Sequence, residues 1–360
     1  MKKIFTLFPV LILILSACSS KRPAIGREDQ IVVVADSAEY AQVESSLQQA
    51  FGKVIYTPQP EHLFKLKRVN ISKFNDAKKM KNVIILAPLN SGSNVSKYLN
   101  TVLDSTSKNM VLKDSVYVIN RHDLWARDQL VMILTAPTIE KLRSDIFMHA
   151  DDLLYFFRDE SNKRLSKALY NSRLEKVKIE AGFLKKFNWI IYVPADYQLS
   201  MEKDEDNFVW LRRGVNTDME RWIFIHWIDN ASPTFLDPDS IANERNKITK
   251  KYYRTTDDTT YVELYDAYKM SSEVNFNGRF AIMTQGLWRF SDQSGGGPYI
   301  DYAFYDEDTG RIYMLDASIF APKYQKKDLI QQVDVLLHSF KTGKEISPEK
   351  KKELMESLED

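Results

Sequence analysis

The stretch Leu15-Ser16-Ala17-Cys18 constrains this chain most, because it holds the single cysteine among 360 residues. Lys2 and Lys3 give a basic start, and Ile4 to Leu15 is an apolar run broken only by Thr6 and Pro9. Small residues then precede the cysteine. This is the layout of a secretory leader, with a run too short to cross a hydrocarbon layer of about 30 Å as a helix. A body exported this way folds in an oxidising compartment. Once Cys18 is committed at the cleavage point, no thiol remains for a disulfide or for cysteine chemistry. The fold must therefore stand on its hydrophobic core alone.

With its cysteine at the cleavage point, the leader resembles the bacterial lipobox. The resemblance implies that residues 1–17 are a lipoprotein signal peptide. It also implies that Cys18 becomes the mature terminus and carries a diacylglyceryl thioether and an N-acyl chain. Several acyl chains anchor firmly, since each buried methylene contributes about 0.8 kcal/mol. Ser19 and Ser20 follow with no Asp next to the cysteine, which by analogy with lipoprotein sorting favours the outer membrane. The basic pair Lys21-Arg22, where some surface-exported lipoproteins are acidic, favours the periplasm-facing leaflet. No second apolar run reaches the ~20 residues of a spanning helix, so the body is expected to be soluble and tethered. Loss of Lys2 and Lys3 takes the formal charge from +1 to −1, which does not suggest a nucleic-acid partner.

Residues 18–29 are polar, with Pro23 and Gly26, and read as a flexible tether. An N-terminal α/β domain is expected over 30–180. Gln30 to Ala35 and Val83 to Ala87 are buried strands, and Leu130 to Thr135 is a third strand. Asp36 is placed to cap a helix with Glu39 as its reciprocal partner. Pro137 opens a long helix with Ile139, Leu142, Ile146, Leu153 and Phe157 on one stripe. A C-terminal α+β domain is expected over 185–342. Its aromatic strands include Phe208 to Arg212 and Trp222 to Asp229, and Asp237 caps a charged helix. A hairpin turns at Asp306-Glu307-Asp308-Thr309-Gly310, and a last amphipathic helix carries Leu329, Val333, Leu336, Leu337 and Phe340. Residues 343–360 read as a charged, frayed tail. The fold class is α+β: two α/β-type domains, the second a mainly antiparallel sheet packed by helices.

Tests for catalytic constellations mostly fail on context. Ser105 to Lys108 and Ser200 to Lys203 match S-x-x-K, and Lys341-Thr342-Gly343 matches K-T-G, but none sits where a penicillin-recognising serine enzyme needs it. The histidines His62, His122, His149, His226 and His338 show no i, i+3 or i, i+4 pair, so no metal site is expected. No cofactor is implied. The Asp306 loop lacks an oxygen ligand where Gly310 stands, which breaks a calcium pattern. Two candidates stay open. Gly295-Gly296-Gly297 after Trp288 and Arg289 can be a plain loop between strands or a ligand loop with exposed amides. The carboxylates Asp292, Asp301 and Asp306 lie near it in sequence and would serve a glycan hydrolase if two of them met in a cleft. Asp-Ser and Asp-Thr tripeptides, such as Asp36-Ser37-Ala38, resemble an envelope O-glycosylation sequence but also suit helix caps.

Further segments carry a family resemblance. They are Trp125-Ala126 with Gln129, Phe208 to Arg212, Glu244-Arg245-Asn246 with Lys250-Lys251-Tyr252, Gly286-Leu287-Trp288, Gly296-Gly297-Pro298, and Ala321-Pro322-Lys323 before Lys327. Together they resemble an envelope lipoprotein family known as a domain of unknown function, number 4837. Where that family tends to carry Pro-Gly after the Lys-Tyr segment, this chain has Tyr253-Arg254. The second half is also weakly similar to periplasmic modules of the PsbP type, an analogy of fold only. The resemblance supplies no catalytic residues. The expectation is a lipid-anchored, non-enzymatic binding or accessory protein with a membrane contact through its lipid and an envelope protein or glycan as partner. The alternative is a hydrolase of envelope glycans or peptides.

Overall fold

The computed structural model describes residues 21–359 except Tyr56, so Cys18 and the leader lie outside the described residues. In chain order the first elements are β1 (Gln30–Val34), α1 (Ser37–Phe51), β2 (Val54–Ile55), β3 (Glu61–His62), β4 (Lys65–Val69), α2 (Phe74–Ala77) and β5 (Asn82–Leu86). Next come α3 (Asn94–Val102), α4 (Ser105–Leu112), β6 (Val118–His122), β7 (Leu130–Leu134), α5 (Ile139–Met148), α6 (Ala150–Leu169), α7 (Val177–Phe187) and β8 (Trp189–Ile190). The remainder is β9 (Tyr197–Lys203), β10 (Phe208–Arg213), β11 (Glu220–Ile228), α8 (Pro238–Tyr252), β12 (Val262–Phe276), β13 (Arg279–Phe290), β14 (Gly296–Asp306), β15 (Arg311–Phe320), α9 (Lys327–Leu337), β16 (Lys341–Thr342) and α10 (Pro348–Glu356). No helix among the described residues is long and apolar enough to cross a membrane.

The chain divides into two compact units that interleave in sequence: residues up to Tyr40 with Lys67–Ile139, and Ala41–Leu66 with Glu140–Asp360. The first unit holds a sheet in the order β4-β1-β5-β7-β6. Strands β1, β5 and β7 are parallel and β6 is antiparallel to β7. Every residue of β5 and β7 is buried, which explains why these strands read as unbroken apolar runs rather than as alternation. Val95 and Leu99 of α3 pack on Val83 and Ile85. The residues expected to be a tether are stitched down here: the amide of Ala24 donates to Arg127 at 2.8 Å and that of Ile25 to Lys79 at 2.8 Å. Backbone groups do this pairing, so polar composition gave no sign of it. The expected capping box at Asp36 does not form either. Its Oδ2 accepts the amide of Val95 at 3.1 Å, and neither carboxylate oxygen of Glu39 has a hydrogen-bond partner. Gln129 is fully buried; its Nε2 donates to the carbonyls of Lys78 and Met80 and its Oε1 accepts the amide of Trp125.

The second unit is built on a seven-stranded sheet in the order β12-β13-β14-β15-β11-β10-β9, antiparallel throughout. Side-chain alternation gives it two cores. On one face α8 lays Ile241, Ala242 and Ile248 against Trp210, Phe224, Trp288 and Met314. On the other, Phe183 and Phe187 of α7 and Leu329, Val333 and Leu336 of α9 cover Ile225, Ile300, Phe304 and Leu315. Each such aliphatic or aromatic side chain contributes roughly 1.5–3 kcal/mol by leaving water. The fold class is thus α+β, with helices packed on a mainly antiparallel sheet.

Three local expectations are corrected. The long helix after Pro137 is two helices, α5 and α6, broken at His149. The last amphipathic helix ends at Leu337, before Phe340; Lys341-Thr342 forms the strand β16, paired with β8, and Thr342 with Glu345 makes a capping box for the short turn that follows. The charged tail contains α10, anchored by the fully buried Leu354, which joins Ala181, Ile190 and Ile346 in a small core. One leucine in so charged a segment is a faint signal, and tertiary burial decides the outcome.

Candidate functional site

The second unit contains a cleft of about 540 Å³ on the α9 face of its sheet. Four stretches far apart in sequence line it: Lys53 to Phe64, one side of α6, the β12–β14 end of the sheet, and α9. Glu61 fixes α9 there, since its carboxylate accepts the amides of Lys326 at 2.7 Å and Lys327 at 3.1 Å. A carboxylate at a helix N-terminus satisfies orphan amides and suits the helix dipole. Gln331 ties α9 to α6 by donating to Ser161 Oγ at 2.9 Å and Asn162 Oδ1 at 2.8 Å. Lys53 is paired with Asp151 at the start of α6.

The depth of the cleft is apolar, with buried Phe64, Leu154 and Ile300 and half-buried Ile330 and Met283. Tyr155 and Tyr268 stand exposed beside it. Its charges are distinctive. Lys327 is only 8% exposed; its Nζ is ion-paired to Asp328 at 3.2 Å, donates to Gln331 Oε1 at 3.3 Å and lies 5.6 Å from the centre of the Phe64 ring. The Arg158 guanidinium, exposed at the cleft, makes no hydrogen bond or ion pair within the described residues. Asp334 is the buried counter-charge. It accepts the Tyr302 hydroxyl at 2.7 Å and faces His338 Nδ1 at 3.4 Å. Burial works to raise the Asp334 carboxyl, but His338, Tyr302 and Arg158 together hold it below the usual carboxylate range. Burial likewise pulls the His338 imidazole down, and Asp334 more than offsets it, so its pKa is raised.

The opposite face of the same sheet carries a sealed ion cluster. Arg245 of α8 is 1% exposed and Asp316 and Asp301 are fully buried. Asp301 and Asp316 sit directly opposite each other on β14 and β15. Arg245 Nε donates to Asp316 at 2.6 Å and Nη2 to Ser318 Oγ at 2.9 Å, and its guanidinium lies 4.3 Å from the centre of the Tyr299 ring. Neither oxygen of Asp301 has a hydrogen-bond partner. Burial and then the nearby Asp316 push the Asp301 carboxyl well above the usual range. Burial raises the Asp316 carboxyl too, with Arg245 and Ser318 working against it, so of the two Asp301, which no donor stabilises as a carboxylate, is the better placed to hold a proton.

The structure separates the residues that sequence had grouped. Trp288 is 1% exposed within the α8-side core, and Arg289 pairs with Glu263 at 2.9 Å. Gly296 and Gly297 are not an open loop. They begin β14, opposite Arg289 and Trp288. A Cβ on Gly297 would stand 1.9 Å from the Ile319 carbonyl oxygen, and one on Gly296 2.4 Å from that of Trp288, so close strand approach requires glycine. Gly295 accepts the amide of Phe290 at 2.9 Å in the tight turn between the strands. Asp292 holds Ser294 in that same turn, and Asp306 holds Thr309 in its hairpin. Asp301 and Asp306, five positions apart on one strand, point to opposite faces. The three carboxylates therefore form no pair in a cleft. Among the described residues no group of three His, Cys, Asp or Glu side chains is arranged to hold a metal. Sequence reading missed Arg158, Lys327 and Asp334. The recurrence of Leu154, Arg158 and Asn162 at helical spacing was the available trace.

No curated protein matches the chain. Among solved structures it resembles the Saccharomyces cerevisiae Ran-binding protein Mog1p and a mutant of Mog1. Each match is 10% identical, covers 43% of this chain and 90% of that chain, and has a TM-score of 0.28. A likeness at that level carries no argument. Family models match more of the chain: residues 24–170 fit a domain of unknown function, DUF8532, and residues 176–339 fit a domain of unknown function, DUF4837. The two halves of the chain are thus each similar to a domain whose function is unknown.

Proposed function

We propose that this chain is a non-enzymatic binding protein, held at the periplasm-facing leaflet of the bacterial outer membrane by lipid on Cys18. The observation that carries the binding role is the cleft beside α6 and α9. It is concave and largely apolar, and charged side chains converge on it, Arg158 among them with no hydrogen bond within the described residues. A hydrolase of envelope glycans is the weaker reading, because Asp292, Asp301 and Asp306 do not meet in a cleft. The lipid anchor rests on the leader, from Lys2 to Cys18. Two measurements test the proposal. Radiolabelled palmitate fed to producing cells should label the wild-type chain and not Cys18→Ser; equal labelling of both refutes the anchor. Cross-linking in intact envelope should recover a stoichiometric partner or retained ligand, whereas recovery of neither, with turnover of peptidoglycan instead, refutes the binding role.

A further inference from the structure

We propose that α10 is a proton-held latch: it stays docked on α7 while the carboxyl groups of Glu175 and Glu180 share a proton, and it comes off when that proton leaves. None of its residues lines the cleft. Two kinds of contact hold α10 in place. Leu354, fully buried, packs with Ile346 on Ala181 and Ile190. Lys350 Nζ pairs with Glu175 at 3.0 Å and with Glu353 at 3.0 Å.

Glu180 lies inside this interface. It stands three positions after Val177 and four before Leu184, on the stripe of α7 that packs against the same small core. It is 2% exposed, and its Oε1 accepts the amide of Val193 at 2.7 Å. Its carboxyl is also in hydrogen-bond contact with that of Glu175. Two carboxyl groups can hydrogen-bond only when one of them carries a proton, because an ionised carboxylate only accepts. Lys350 from α10 faces the pair, but its ammonium is already shared between Glu175 and Glu353. From the segment after β8 the pair is faced by the Tyr192 hydroxyl, which donates to the Asn171 carbonyl at 2.9 Å. Ionising both carboxyl groups therefore sets two adjacent negative charges in a nearly dry interface with one shared cation. Burial, and then Glu175, push the Glu180 carboxyl up to about 8, with the Val193 amide and Lys350 working against them. Once α10 is released, Glu180 meets water and returns toward its ordinary value of 4.5. The proton's contribution to docking is thus fully present below that value and is lost as pH rises toward 8. Release uncovers the apolar side chains of Ala181, Ile190 and Leu354.

The test is amide hydrogen exchange of α10 in the full chain carrying Cys18→Ser, read between about pH 5.5 and 8.5 with intrinsic exchange rates divided out and α8 as the internal reference. One proton can change protection by at most about tenfold per pH unit. Wild type should lose at least about tenfold of its α10 protection across this range while α8 holds. Glu180→Gln, whose amide donates to Glu175 as the protonated acid does, should keep α10 protected throughout. Leu354→Ala should expose α10 at every pH and so give the signature of the released helix. An equal fall in wild type and Glu180→Gln, or no fall in wild type, overturns the latch. If Glu180→Gln does not fold, the carbon-13 signal of the Glu180 carboxyl in labelled wild type decides. A midpoint well above the ordinary glutamate range, with the α10 signals changing at the same pH, supports the latch, and an ordinary midpoint overturns it.

Discussion

On the α8 face of the seven-stranded sheet, Arg245 is 1% exposed and meets its carboxylate at 2.6 Å. On the other face, Lys327 is 8% exposed and its nearest carboxylate, that of Asp328, stands at 3.2 Å with most of its side chain in water. The first cation is closed in by its own fold: Asp316, Ser318 and the Tyr299 ring surround it, and α8 covers the cluster. The second borders an open cleft together with Arg158. A buried charge that finds good partners within the chain is part of the scaffold. One that borders an open cleft, with its counter-charge largely in water, is more accessible to something else. The same sheet thus holds a sealed ionic staple on one side and a receptive surface on the other.

The largest effect that would break this contrast lies on the sealed side. Arg245→Met removes the cation and leaves Asp316 and Asp301 facing each other in a dry core. It should cost about 3–5 kcal/mol in urea denaturation. A loss no greater than that of a typical surface substitution would mean that the cluster is not the staple described.

Asp301 gives a smaller and pH-dependent effect. Its folded pKa lies above its unfolded value, because burial and Asp316 both favour the neutral acid. Its contribution is therefore fully present below the unfolded pKa, near 4 on the model-peptide scale, and is lost as pH rises toward the folded value. Asp301→Asn keeps the shape and cannot ionise. The unfolding free energy of the variant from urea titration should lie within about 1 kcal/mol of wild type in mild acid and move above wild type as pH rises. Parallel pH profiles for the two proteins would show that Asp301 does not hold its proton as described.

How much of this was legible in sequence differs between the two faces. Leu130 to Leu134 and Val83 to Leu86 announced themselves because strands buried on both faces are continuously apolar. The turn from Asp306 to Gly310 was legible because Gly310 must adopt a φ of +64°. Several of the segments carrying the family resemblance build the sealed face: Arg245 forms the ion pair, Asn246 accepts the amide of Leu264 at 2.8 Å, and Trp288 and Gly297 pack the strands. The cleft was not legible. Arg158 lies in a helix so rich in charge that one more arginine reads as a solvated face, and Lys327 reads as an ordinary first-turn residue of α9. Neither burial nor the lack of a close partner is encoded locally. Both arise only when residues more than a hundred positions apart converge.

The most direct test of the contrast is urea denaturation of Arg245→Met beside Lys327→Met. The account predicts a loss of about 3–5 kcal/mol for the sealed cation and a clearly smaller one for the cation that borders the cleft. Equal losses, or the larger loss at Lys327, would contradict it.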